Sequence, residues 1–258
     1  MKIASWNVNS LRVRLPQLAD WLREFEPDAL GIQETKVEDD KFPQAEIEDL
    51  GYEVHFTGQK TYNGVAILTR GAQQEVSLNP GGLNTSGQVR AIACTLENGV
   101  RLVNIYVVNG QALDSEKFQF KLRWLVDLKS YLYHELMSHP RLAVIGDFNI
   151  APGDADVYDP LAWAGQIHCS VPERNALAQI LDLGFYDSLR LHRQDAIYSW
   201  WDYRKGAFQR NQGLRIDLAL VSNALKKEVI AAGIDQTPRT NTQPSDHAPI
   251  WLTLSTGA

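Results

Sequence analysis

The sequence predicts one α/β domain over residues 1–258, on three observations. Short Val- and Ile-rich apolar segments recur along the whole chain, and amphipathic helical patterns lie between them. No Pro/Gly/Ser-rich linker, low-complexity tract or fixed-period repeat divides the series. The length of 258 residues suits a single large α/β unit, and 44% hydrophobic with 22% charged residues is an ordinary globular balance that argues against disorder.

The strand-length segments are residues 3–8, 29–32, 64–68, 91–96, 102–108, 142–145, 216–221 and 250–254. Between them, Leu15, Leu18, Leu22 and Phe25 form one helical stripe. Phe118, Leu122, Leu125, Leu128, Leu132 and Leu136 form a longer one. A third helix opens at Ser170, which stands at capping-box spacing from Glu173, and closes at Gly184.

The formal net charge is -6, whereas a general coater of nucleic acid is more often basic, so DNA binding needs a localised basic strip. The two cysteines, Cys94 and Cys169, lie far apart outside any CxxC pattern, which argues against a disulfide scaffold and a thiolate metal site. The opening MKIASWNVNSL lacks an apolar signal core, and no run approaches the ~18 apolar residues that span a bilayer. A cytoplasmic location and no membrane partner are expected.

Several strands end in polar residues that a strand does not need. Asn7 and Asn9 follow the first, Gln33 and Glu34 the second, Tyr106 and Asn109 the fifth, and Asp147 and Asn149 the sixth. Loops at strand ends of α/β sheets converge on one spot, whereas a single Asn or Asp is as readily a turn former or cap. In Gly146-Asp147-Phe148-Asn149-Ile150, strand alternation would turn Asp147 and Asn149 to one face and bury Phe148 on the other. That pair suits a phosphate: Asp147 to deprotonate water, Asn149 to donate to a phosphoryl oxygen. In Pro244-Ser245-Asp246-His247-Ala248-Pro249, two prolines order the loop, and His247 can stabilise a developing phosphorane charge. Asp246 offers a metal ligand and Asp217 a histidine partner. Glu34 fits a hard cation such as Mg²⁺, while zinc fits poorly because the six histidines show no ligand spacing.

Six elements then occur in a recognisable order. They are Trp6-Asn7-Val8-Asn9-Ser10; Gln33-Glu34-Thr35-Lys36; Gly58-Gln59-Lys60 with Tyr62-Asn63-Gly64-Val65-Ala66; Gly146-Asp147-Phe148-Asn149; Gly213-Leu214-Arg215-Ile216-Asp217; and Ser245-Asp246-His247. Over nearly its whole length the chain resembles the bacterial exonuclease III family. The resemblance implies a four-layer α/β sandwich, two packed mixed β-sheets flanked by helices. It implies a Mg²⁺-dependent phosphodiesterase, with Mn²⁺ as substitute, for DNA repair at abasic sites and blocked 3′ ends. The partner implied is double-stranded DNA with 3′ damage, nicks or abasic sites, met by a monomer. Position by position it assigns Glu34 to the metal, with Asn7, Asp246, Asp147 and Asn149 around it. Asp147 activates water, Asn149, Asn109 and Tyr106 contact the scissile phosphate, and His247, oriented by Asp217, stabilises the transition state.

A basic strip lies at residues 200–216, where Arg204, Lys205, Arg210 and Arg215 stand against the single Asp202 with aromatics between them. By resemblance Trp200, Leu214 and Ile216 line a pocket for an extrahelical abasic sugar, Arg204 enters the helix, and Arg90 with Lys60 contacts phosphates. Two positions depart from the family pattern. The loop after Tyr106 reads Val107-Val108-Asn109-Gly110, without the usual proline. His168 borders the sugar pocket, where relatives with efficient abasic incision carry a smaller residue. Turned inward, it would exclude the abasic sugar and leave 3′-end processing; turned outward, it would only cap the next helix and leave abasic incision intact. A phospholipid or inositol-phosphate hydrolase and a catalytically inactive DNA-binding regulator are the rival readings. The 200–216 segment disfavours the first and the intact acidic set the second.

Overall fold

Two six-stranded sheets lie face to face in the computed structural model, which describes residues 1–255. In chain order the first six strands are β1 (Lys2–Asn7), β2 (Ala29–Gln33), β3 (Glu53–Thr57), β4 (Val65–Thr69), β5 (Gln74–Ser77) and β6 (Ala91–Thr95). The remainder are β7 (Arg101–Tyr106), β8 (Leu142–Asp147), β9 (Phe185–Asp187), β10 (Asp217–Ser222), β11 (Val229–Ile234) and β12 (Ile250–Leu254). Helices are α1 (Leu11–Phe25), α2 (Gln44–Glu48), α3 (Glu116–Ser138), α4 (Pro160–Trp163) and α5 (Val171–Leu181).

One sheet runs β11-β12-β1-β2-β4-β3 and the other β5-β6-β7-β8-β10-β9. Each is mixed: β1 and β2 are parallel across α1, β7 and β8 are parallel across α3, and the other pairs are antiparallel. Strand alternation sorts the core into layers. Ile3, Val65, Ile67, Leu102, Ile145 and Val221 meet between the sheets. Ala4, Trp6 and Leu30 turn the other way onto α1, and Val103, Ile105 and Val144 turn onto α3 and α5. The four-layer sandwich is therefore as expected.

All eight segments read as strands from the sequence are interior strands, and the four unread ones, β3, β5, β9 and β11, are the sheet edges. An edge strand is paired on one side only and is blunted with charge, so it carries no continuous apolar run. Glu53, Gln74 and Glu75 are exposed accordingly. Ser170 and Glu173 do form a capping box, but α5 ends at Leu181 and a turn follows before Gly184, whose φ is 105°. No helix among the described residues is long and apolar enough to cross a membrane.

The sheets are joined by a buried polar tie. Asn104 of β7 donates from Nδ2 to the carbonyls of Ile32 in β2 and Ala66 in β4, each at 2.9 Å. Its Oδ1 accepts from Gln33 Nε2 at 2.6 Å, and Gln33 also donates to Ser5 Oγ at 2.8 Å. A Cβ at Gly31 would lie 2.8 Å from Asn104, so the glycine makes room for the amide. Asn104→Leu should cost on the order of 3 kcal/mol, the net of two lost hydrogen bonds and a stranded Gln33 amide. Urea unfolding should show this as a lower midpoint at an unchanged slope.

Candidate active site

The parallel strands β1, β2, β7 and β8 end on one side of the sandwich, and the antiparallel β10 and β12 begin there. The β8–β10 register sets Asp217 directly opposite Asp147. Gly146 has a φ of 143°, and a Cβ there would stand 1.9 Å from Ile105 O, so only glycine lets β8 pass β7 just before Asp147. Just beyond the strand ends the main chain turns left-handed at the non-glycine residues Asn9 (φ 44°), Glu34 (52°) and Asn149 (52°), and it does so again at His168 (70°) ahead of α5. Such backbone persists only where its surroundings hold it, and it folds these side chains over the strand ends. Phe148 is buried under α3 and α5 as alternation predicts. Asn149 reaches the Asp147 side through its left-handed turn, because the strand has already ended.

Asp147 is the centre of the cluster and is almost fully buried. Its Oδ2 accepts from Asn7 Nδ2 at 3.0 Å and Asn149 Nδ2 at 3.2 Å, and its Oδ1 from Asn149 N at 2.8 Å. Asn7 Nδ2 also donates to Glu34 Oε1 at 2.8 Å, joining two carboxylates from different sheets. His247 Nδ1 donates to Asp217 Oδ2 at 2.9 Å, and its Nε2 stands 3.7 Å from Asp147 Oδ2. Asn109 Nδ2 donates to Asn149 Oδ1 at 3.2 Å. Tyr106 lines the adjacent cleft of about 630 Å³ together with Asn109 and Arg90. The Arg90 guanidinium lies over the Tyr106 ring at 4.7 Å.

Burial pushes the Asp147 carboxyl up to about 7; the His247 charge opposes this, and Asp217 and Glu34 reinforce it. For His247, burial favours the neutral ring, but Asp217 and Asp147 outweigh it and raise the imidazolium to about 10. Burial first, then Glu34 and Asp147, drive Tyr106 well above its usual range, so it is a phenol at neutral pH.

Glu34, Asp147 and His247 each bring one ligand atom within 4.8 Å of the others. Their carboxylate oxygens suit a hard divalent cation, which would relieve the repulsion that adds to the burial-driven rise of Asp147. His247 is committed to Asp217, which speaks against a zinc-type histidine site. Asp246 stands outside that three-residue group. Its Oδ1 accepts from Asn9 Nδ2 and its Oδ2 from Trp200 Nε1, both at 2.9 Å. Lys36, which had drawn no attention in the sequence beyond its motif, pairs with Glu34 Oε2 at 2.9 Å.

Trp200 packs on the cluster of Ala151, Val157, Cys169, Leu214 and Ile216, while Trp201 is wholly buried core. The His168 side chain is buried. It is 5% exposed, its ring centroid lies 6.3 Å from that of Trp200, and its Nδ1–H donates to Asn149 O at 2.7 Å. Burial, then the Lys121 charge, lowers its pKa to about 3, so the ring is neutral. The helix-capping contact belongs to its main chain, whose N–H donates to Glu173.

The basic strip is narrower than its sequence. Arg215 is buried and pairs with Asp156 at 2.6 Å and Asp187 at 2.7 Å, so it belongs to the core. Arg204 stays on the surface, ion-paired to Asp202 at 2.6 Å, and Lys60 is exposed. Lys121 and Glu173, a wholly buried ion pair beneath the site, were missed as a pair. Glu173 carried a capping signal, and Lys121 stands three residues after Phe118 and four before Leu125, on the apolar face of its helix, which was the available sign that it points inward.

His247 has a folded pKa of about 10 against an ordinary 6.5, so its interactions contribute stability that is fully present below about 6.5 and is lost as pH rises through about 10. In EDTA the melting temperature should fall between pH 7 and pH 10, and His247→Gln should flatten that fall. Thermal denaturation across the range checks both.

A model of the endonuclease/exonuclease/phosphatase family matches residues 4–247. The exodeoxyribonuclease III of Haemophilus influenzae is 38% identical over 97% of this chain and 98% of its own. The structure of the Neisseria 3′ phosphatase NExo, bound to a product DNA hairpin, is 47% identical and superposes with a TM-score of 0.96 over 99% of this chain and 100% of that one. An AP endonuclease from Archaeoglobus fulgidus is 39% identical with a TM-score of 0.93, covering 99% of this chain and 100% of its own. The family depends on divalent metal ions. The chain belongs to the endonuclease/exonuclease/phosphatase family, alongside the exodeoxyribonucleases III, and is by that membership a nuclease-type hydrolase of phosphate esters.

Proposed function

We propose that the protein is a Mg²⁺-dependent DNA phosphodiesterase and phosphatase acting at the 3′ ends of duplex DNA, with Mn²⁺ able to replace Mg²⁺. Its substrates are 3′ phosphates, nicks and frayed 3′ termini, met by a single-domain monomer, and abasic incision is the weaker activity. The observation that carries the end preference is the buried, neutral His168 ring near Trp200, which packs on Leu214 and Ile216. An abasic deoxyribose must enter that pocket, whereas a terminal phosphate need reach only the carboxylate cluster. DNA as the substrate class is supported by the relatives, among them the Neisseria phosphatase bound to a DNA hairpin.

Hydrolysis needs a neutralised phosphate, an activated water and a stabilised pentacovalent transition state. Glu34, with Asn7, Asp246, Asp147 and Asn149 around it, would hold the divalent cation, which would supply Lewis-acid charge to the phosphate. Asp147, held by two asparagine amides, accepts the proton of the attacking water. The His247 imidazolium, fixed at Nδ1 by Asp217, directs its Nε2–H to a phosphoryl oxygen. The Tyr106 phenol donates alongside it, with Asn109 and Asn149 at the scissile phosphate. Arg90, Lys60 and Arg204 contact flanking phosphates.

Labelled duplexes carrying an abasic analogue, a 3′ phosphate, or matched and mismatched 3′ ends test the reading in Mg²⁺, Mn²⁺ and EDTA. EDTA should abolish hydrolysis, and phosphate release should exceed abasic incision. His168→Gly should raise incision; an unchanged ratio sinks the end preference. Asp147→Asn should lower kcat by at least ~10²-fold with the circular dichroism spectrum intact. No hydrolysis by the folded native chain would point instead to a DNA-binding member without turnover.

A further inference from the structure

The Lys121 side chain, from α3, is wholly enclosed, and so is that of Glu173 at the start of α5. An ammonium has three donors. Here they meet Glu173 Oε1 at 2.5 Å, Asn149 O at 2.7 Å and Asn109 O at 3.2 Å. Glu173 is as fully engaged. Its Oε1 also accepts from His168 N at 3.0 Å, and its Oε2 accepts from Ser170 N at 3.1 Å and Ser170 Oγ at 2.5 Å. Asn149 O takes the His168 Nδ1–H as well, at 2.7 Å. The contacts therefore close a ring, from Lys121 to Asn149 O, through the His168 imidazole to the His168 main chain, and through Glu173 back to Lys121.

A buried ion pair is a poor source of stability, because desolvating both ions offsets most of their attraction and an apolar pair of similar volume usually serves as well. An apolar pair cannot hold two carbonyls at fixed distances. Asn109 follows β7 and Asn149 follows β8, and their amides are already joined side chain to side chain. Lys121 grips the main chain under both from the side away from the carboxylate cluster. We propose that Lys121, through Glu173, is a positioning residue that locks the Asn109 and Asn149 main chain and the His168 ring into one unit, setting both phosphate alignment and the pocket's exclusion of an abasic sugar. The inference rests on the phosphate and pocket roles given above to Asn109, Asn149 and His168.

The test compares the native chain, Lys121→Met, Lys121→Met/Glu173→Gln and His168→Gly on a 3′-phosphate duplex and an abasic duplex, recording kcat, KM and melting temperature. In Lys121→Met, kcat for phosphate release should fall about 10–100-fold with KM little changed, as for other supports of a reacting centre. The ratio of abasic incision to phosphate release should rise, because the imidazole has lost its anchored acceptor. Should Lys121→Met fail to fold, the double variant, which leaves no lone buried carboxylate, carries the same expectations. A purely structural role would lower the melting temperature with kcat or the ratio unmoved, and either outcome overturns the proposal. Unchanged ratios in the lysine variants beside raised incision in His168→Gly would defeat the positioning role and leave the pocket reading standing. No gain of incision in His168→Gly would defeat the pocket reading, and with it the specificity half of this inference.

Discussion

Asn104 reaches out of one sheet and donates to two main-chain carbonyls of the other, and the relative placement of the sheets is fixed by that contact. Apolar surfaces alone would let two sheets slide or rotate with little penalty, since dispersion and burial have no direction. A buried amide with its hydrogen bonds satisfied has only one good position. The consequence appears at the strand ends. Asn7 and Glu34 come from one sheet and Asp147 from the other, yet a single Asn7 amide donates to both carboxylates at 2.8 and 3.0 Å. A shift of even an ångström between the sheets would break one of those bonds.

The same join explains the electrostatics. Asp147, Asp217 and Glu34 are crowded where water is scarce, with His247 offsetting the two aspartates and Lys36 pairing with Glu34. Such an arrangement is costly in the free protein and becomes favourable when positive charge arrives. A chain of net charge -6 therefore concentrates part of its negative charge in this cluster, and keeps Arg204 and Lys60 at the surface.

Interior strands were legible because they are covered on both faces and write their burial as apolar runs. The edges β3, β5, β9 and β11 were not, since half of each faces water. Asn7, Glu34, Asp147 and Asn149 could be picked out as polar residues that their strands did not need, and Asp217 with His247 through their motifs. Buried charges escaped notice for a different reason. Arg215 reads as part of a basic strip, and Lys121, though it falls on the apolar face of its helix, is a charge with no visible partner, because what makes each a core residue is a carboxylate distant in sequence: Asp156 for one, Glu173 for the other. The direction of the His168 ring was likewise open, as it depends on the Asn149 carbonyl.

The left-handed turns at Asn9, Glu34, Asn149 and His168 carry an implication for how this fold balances robustness against work. Each non-glycine residue held there costs of order 1–3 kcal/mol, less for asparagine and histidine and more for glutamate. A chain selected for durability alone would place glycine at positions 34 and 168 and recover that energy. This one retains side chains that its backbone resists, a carboxylate in the acidic cluster and an imidazole near Trp200. The site is thus a tolerated weak point, held in shape by the rigid sandwich beneath it, and its strain measures how much durability the protein gives up for chemistry.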